Sequence, residues 1–163
     1  MAQLFVGVWP SKKAMQALGA YPKPGDGWVD EGQWMVNVRP LAYETEGLVD
    51  ALVDVLRFEL DGMPRPRASF APVKAGSWLR APVLGLDELR DVVFESTTSL
   101  VPVHHPKSLP WEVSVALRKD RSPKDLIAPL SASWTVKEVV LAAGIRRGGT
   151  YRYETIAAVP LGA

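Results

Sequence analysis

Cysteine is absent from this chain, and histidine occurs only as the adjacent pair His104 and His105. The first absence removes disulfides, thiolate metal ligands and thiol nucleophiles together. The second leaves too few imidazoles for a histidine-rich zinc site, so neither a metal nor a cofactor is expected. No apolar run reaches the ~20 residues that span a bilayer. The opening Met1-Ala2-Gln3-Leu4-Phe5-Val6 starts directly as a strand, without the basic head and longer apolar run of a signal peptide. These lacks predict a soluble cytoplasmic protein with no membrane partner. A dominant charge is missing too: 19 Lys and Arg oppose 18 Asp and Glu, for a formal net charge of +1. That is no polyanion-binding composition. Basic residues gather only locally, in Arg65, Arg67, Lys74 and Arg80, in Arg118-Lys119-Asp120-Arg121, and in Arg146-Arg147. Such groups are either solvated loop charges or a groove edge that steers phosphate.

The 163 residues, 47% of them hydrophobic, suffice to enclose one core, and a single domain over 1–163 is expected. Its 14 prolines and 13 glycines imply many short elements joined by tight turns rather than a helical bundle.

Two stretches alternate with period two. In Gln33-Trp34-Met35-Val36-Asn37-Val38-Arg39-Pro40-Leu41, the residues Trp34, Val36 and Val38 point one way and Met35, Asn37 and Arg39 the other. In Trp111-Glu112-Val113-Ser114-Val115-Ala116-Leu117-Arg118, the apolar face is Trp111, Val113, Val115 and Leu117, leaving Glu112, Ser114, Ala116 and Arg118 opposite. Two such strands are either half-buried with water on the polar side, or the walls of a groove lined by Met35, Asn37, Arg39, Glu112, Ser114 and Arg118. Trp34 and Trp111 fall on the apolar parity, which favours core packing over a stacking platform for bases.

Around these strands the chain reads as follows. Leu4 to Val8 forms a strand closed by Pro10, and Ser11 caps a helix with Met15 and Leu18 inward. Thr45 is a candidate cap for a helix that buries Leu48, Leu52, Val55 and Leu56. Arg67 to Val73 and Gly76 to Val83 suit irregular or edge strands. Asp87 opens a third helix with Leu89, Val92, Val93 and Leu100 inward. A linker at about 101–110 carries the two histidines. Lys124 to Leu130 suits a short helix or turn, and Thr135 to Ala142 and Tyr151 to Val159 are strands. The basic turn Gly144 to Gly149 lacks phosphate-loop spacing and is read as a hairpin connection.

In their order and spacing these pieces resemble the two-histidine phosphoesterases, the group that includes bacterial RNA 2',3'-cyclic phosphodiesterases, also called 2'-5' RNA ligases or LigT-like proteins. Leu4-Phe5-Val6-Gly7-Val8-Trp9-Pro10 is similar to the family's opening strand, and Trp28-Val29-Asp30-Glu31-Gly32-Gln33-Trp34 to the run before its first His-x-Thr motif. Leu79 to Leu89 is similar to the middle strand and following helix. Trp134 to Leu141 and Tyr151-Arg152-Tyr153-Glu154 resemble the final hairpin. The resemblance implies an α+β, bilobal fold: two pseudo-symmetric lobes, two antiparallel sheets facing a central cleft, and helices on the outer faces.

The departure from the family concerns its chemistry. Met35-Val36-Asn37 stands at the first His-x-Thr position and Glu112-Val113-Ser114 at the second. In the family, one histidine takes a proton from water or a hydroxyl and the other protonates the leaving oxygen, so two groups titrating near neutrality flank phosphorus. Met35 carries no transferable proton. Glu112 is a weak base at the ordinary carboxylate pKa of ~4.3, and the only candidate catalytic residue if the chain is active. Asn37 and Ser114 keep hydrogen-bonding ability at the phosphate-holding positions, and Arg39 and Arg118 are candidates for charge-assisted contacts. The sequence therefore points to an inactive family member with a binding or accessory role, with a phosphodiesterase of altered acid-base set as the alternative. Its candidate partners are a small molecule, a nucleotide or RNA end, and another protein.

Overall fold

The computed structural model describes residues 2–102, 113–119 and 124–162. Glu112, Trp111, His104, His105 and most of the expected linker lie outside the described residues. Eight strands form one antiparallel sheet: β1 (Gln3–Val8), β2 (Val36–Tyr43), β3 (Arg67–Phe70), β4 (Leu79–Leu84), β5 (Ser114–Arg118), β6 (Ser133–Thr135), β7 (Glu138–Arg147) and β8 (Thr150–Pro160). Their order is β6-β3-β4-β5-β2-β1-β7-β8. The two facing sheets expected from sequence are thus a single sheet. Asn37 of β2 pairs directly with Ser114 of β5 and joins what were read as separate halves. Residues Gln33 to Leu41 do not form one strand from their start, because Glu31–Gln33 make a 3-10 turn ahead of β2.

Three helices, α1 (Lys12–Ala20), α2 (Leu48–Leu60) and α3 (Asp87–Thr97), complete the fold. Ser11 caps α1 as its sequence predicts, accepting from the Ala14 amide at 3.2 Å, but Ala14 rather than Met15 joins Leu18 in the core. The cap of α2 is Gly47 in a left-handed conformation (φ 81°), not Thr45. Leu86 occupies the cap position of α3 and Asp87 its first turn, where a carboxylate complements the helix dipole. Leu4, Val6, Val8, Val36, Val38, Ala81, Val83, Val115, Leu117 and Leu141 bury the helix-facing side of the sheet against Leu18, Leu52, Leu56 and Leu89.

The opposite face carries a smaller cluster of Phe5, Met35, Val140 and Ala142, flanked by Trp9 and Tyr153. Five strand spacings separate β4 from β8, ~24 Å on a flat sheet. Arg80 of β4 and Tyr153 of β8 nonetheless line one cavity of about 310 Å³, so the sheet curls and this face is concave. The expected strand over Thr135 to Ala142 is divided: β6 pairs with β3, and β7 pairs with β1. The Gly144 to Gly149 turn shortens to Gly148-Gly149, both with positive φ (56° and 83°), as a two-residue hairpin requires.

One irregularity in β2 decides where a charge goes. Gly7 pairs with Asn37, but Val6 pairs with Arg39, so Val38 is an extra residue on β2. At such a bulge alternation is lost and neighbouring side chains share a face. Arg39 follows Val38 to the helix side and is 2% exposed. Its guanidinium donates to Thr97 Oγ1 and to the Val101 carbonyl, and lies 5.0 Å from the Phe94 ring centroid. Burial lowers its pKa from the ordinary arginine value. The cation sits where α3 ends and carbonyls carry partial negative charge. Arg39→Ala should therefore leave a void and an unpaired Val101 carbonyl, costing about 2–4 kcal/mol. Urea unfolding will show this as a lowered midpoint, whereas an unchanged midpoint would contradict it.

Candidate functional site

The concave cavity of about 310 Å³ lies over the junction of β2 and β5. The structure brings Met35, Asn37 and Ser114 together on its lining, with Gln33, Trp78, Arg80 and Tyr153 added. Arg39 is excluded by the bulge. Arg118 lies beside the Trp28 loop: its Nε donates to the Asp26 carbonyl at 2.8 Å and its guanidinium stands 5.8 Å from the Trp28 ring. It too is absent from the lining. Glu112 falls outside the described residues.

Met35 forms the floor. It is 1% exposed and lies against Gly7, where an added Cβ would come within 2.6 Å of Sδ and 2.8 Å of Cγ. Glycine there gives the long thioether room to lie flat on β1. Phe5 packs beneath the wall, its ring edge-on to Tyr153 at 4.9 Å. Burial is the main cause that pushes the Tyr153 hydroxyl up to about 12; Tyr151 adds to the rise and a hydrogen bond with the Asn37 side chain opposes it. Tyr153 is thus a neutral donor over the physiological range. Asn37 Oδ1 is buried and has no hydrogen-bond partner among the described residues. Across the cleft, Trp78 is 37% exposed, and Arg80 is the one charged side chain among the described lining residues. No group of His, Asp and Glu able to hold a metal ion occurs among the described residues, and none of their helices is long and apolar enough to cross a membrane.

The residues that sequence reasoning left out had unequal signals. Arg80 lies on β4, where its alternation with the buried Leu79 and Ala81 was available, and Trp78 stands just ahead of the strand. Tyr153 required knowing that β8, at the far end of the sheet order, curls back toward β4. Gln33 occupies a turn and has no periodic signature. Its place is set by a hydrogen bond from Nε2 to the Tyr151 carbonyl at 2.6 Å.

This architecture, one curled antiparallel sheet with helices on its convex side and a polar cleft on the other, defines a single-sheet α+β fold. Solved structures make the assignment more specific. TT0787 of Thermus thermophilus is 17% identical with a TM-score of 0.81, over 98% of this chain and 97% of that one. E. coli LigT in complex with 3'-AMP is 16% identical with a TM-score of 0.75, over 99% of each chain. A further structure described as a phosphoesterase is 15% identical with a TM-score of 0.76, over the full length of both. The chain thus has the fold of E. coli LigT and of these other structures. No protein-family model matches the sequence, and no curated protein matches it.

Two outcomes check the cleft's construction. Gly7→Ala should destabilise the protein by about 1–3 kcal/mol through overpacking. Adding Met35→Ala should cost less in that background than in the wild type, and strict additivity in a double-mutant cycle would contradict the contact. The raised Tyr153 pKa adds stability that is fully present below the unfolded tyrosine pKa of ~10. This contribution is lost as pH rises through about 12. Tyr153→Phe should consequently weaken the alkaline loss of stability between those limits, read by unfolding at each pH alongside tyrosinate absorbance.

Proposed function

We propose that this chain is a LigT-fold protein whose cleft binds a nucleotide-type ligand without phosphodiesterase turnover, in a binding or accessory role. The observation that carries the reading is Met35, buried against Gly7 where the family resemblance requires a proton-transferring histidine. General acid-base catalysis needs groups whose pKa values lie near the working pH. Among the described lining residues there are amides, a hydroxyl, a thioether, an indole, a guanidinium and a phenol held near 12. None of these titrates near neutrality.

What supports binding is the polar set that persists. Gln33, Asn37 and Ser114 offer neutral donors and acceptors, Arg80 offers a cation for phosphate, and the partly exposed Trp78 offers a face for a base. E. coli LigT has been crystallised with 3'-AMP and with NADP+, which makes a nucleotide the first ligand to try.

The decisive measurement is turnover of adenosine 2',3'-cyclic phosphate and of a short RNA ending in a 2',3'-cyclic phosphate, with wild type and Glu112→Gln compared at several pH values. The expected result is no product above a buffer blank, together with calorimetric binding of 3'-AMP. Turnover by the wild type that disappears in Glu112→Gln would overturn the proposal, because the cleft would then have rebuilt its acid-base chemistry around the carboxylate.

A further inference from the structure

The chain brings the first strand of its sheet back to the seventh. β6 and β7 stand six places apart in the strand order, ~29 Å on a flat sheet. Only Val136 and Lys137 separate them in sequence, so Thr135 and Glu138 lie at most ~11 Å apart. This fold-back and the turn from β1 into α1 bound a hollow of about 510 Å³, which shares no lining residue with the cleft.

Most of its lining is apolar: Val8, Pro10, Val136 and Val140, with Trp9 and Trp134. The two tryptophans differ in what they have left to donate. Trp9 Nε1 is engaged by Thr155 Oγ1 at 3.0 Å. Trp134 is 5% exposed, its ring stands 5.3 Å from that of Phe70, and its buried Nε1 has no acceptor among the described residues. Leaving such a donor unpaired is costly, and native structures seldom do so.

The polar part of the lining leans toward positive charge. Ser11, the cap of α1, accepts from the Ala14 amide at 3.2 Å, which leaves its own hydroxyl proton free to donate. The first turn of α1 holds Lys12 and Lys13 and no acidic residue, so nothing within that turn offsets the positive end of the helix dipole. Lys137 and Glu138 are the two charged lining residues, both exposed, and no described carboxylate pairs with Lys137. An orphaned indole N–H, a hydroxyl, a helix N-terminus and a lysine suit an anion, and the valines and rings suit an apolar body attached to it.

We infer that this hollow is a second binding site, for a small organic carboxylate with an aromatic or aliphatic body, whose carboxylate accepts from Trp134 Nε1 and faces Lys137. The site is independent of nucleotide binding in the cleft.

The probe is 3-phenylpropionate, with 3-phenylpropan-1-ol as the uncharged molecule of the same body. The chain has six tryptophans, and the indole N–H resonance that vanishes in Trp134→Phe identifies the one to follow in titrations of the wild type. The carboxylate should move that resonance downfield, as a new hydrogen bond requires, and leave the Trp78 resonance in place. The alcohol should bind about tenfold or more weakly, and Trp134→Phe should cost the carboxylate about tenfold in calorimetry. Lys137→Met, at an exposed position that leaves the fold intact, should weaken the carboxylate about threefold and the alcohol not at all. A Trp134 resonance that neither probe moves, equal affinity for the two probes, or carboxylate binding unchanged in either variant would overturn the inference. Displacement of the probe by 3'-AMP would overturn it as well, because the probe would then sit in the cleft.

Discussion

The extra residue in β2 is the constraint on which the rest of the structure depends. Strict alternation would place Arg39 on the concave face beside Met35 and Asn37. With Val38 inserted opposite Val6, both Val38 and Arg39 turn toward the helices. A buried guanidinium is costly unless its donors are satisfied, and here they meet the Thr97 hydroxyl and the Val101 carbonyl at the end of α3, with the Phe94 ring close by. Thr97 passes the link on, donating to the Val93 carbonyl at 2.6 Å. A central strand is thereby tied to the helix that follows β4, and the cleft loses a cation it would otherwise have held.

That loss changes the electrostatics of the cleft more than its shape. The floor is apolar, the central pair is an amide opposite a hydroxyl, and the described charge is concentrated in Arg80 on one wall. A phosphate held there is held from the side, not from beneath. At the floor Met35 fills the space that Gly7 leaves, and a thioether carries no transferable proton.

Much of this was legible in the residues. The apolar period of α2, the Ser11 cap, the alternation around Ser114 and the likeness to the LigT-type fold follow from local chemistry and from the order of the pieces. The union of two expected sheets into one was not legible, since the Asn37–Ser114 pair joins strands far apart in the chain and neither strand's periodicity names its neighbour. The placement of Met35, Asn37 and Ser114 on one face was legible where alternation held, and that of Arg39 was not, because alternation broke there. A bulge carries no marker residue in Val38-Arg39, and Tyr153 enters the cleft only because β8 curls back toward β4.

The hairpin of β7 and β8 outruns its support. β1 stops pairing at Gly144, so Ile145 to Arg147 and Thr150 to Arg152 continue as a two-stranded ribbon, with the Tyr151 carbonyl accepting from Gln33 Nε2. Paired ribbons without a third strand twist more readily than a full sheet. Tyr151 therefore sits on the two-stranded ribbon, whereas Tyr153, opposite Gly144, still belongs to the part of the hairpin that β1 supports, as does the floor at Met35. The cleft's rim at Tyr153 is thus anchored with its floor, and the overhang begins only beyond it, at the end of the hairpin that carries Tyr151.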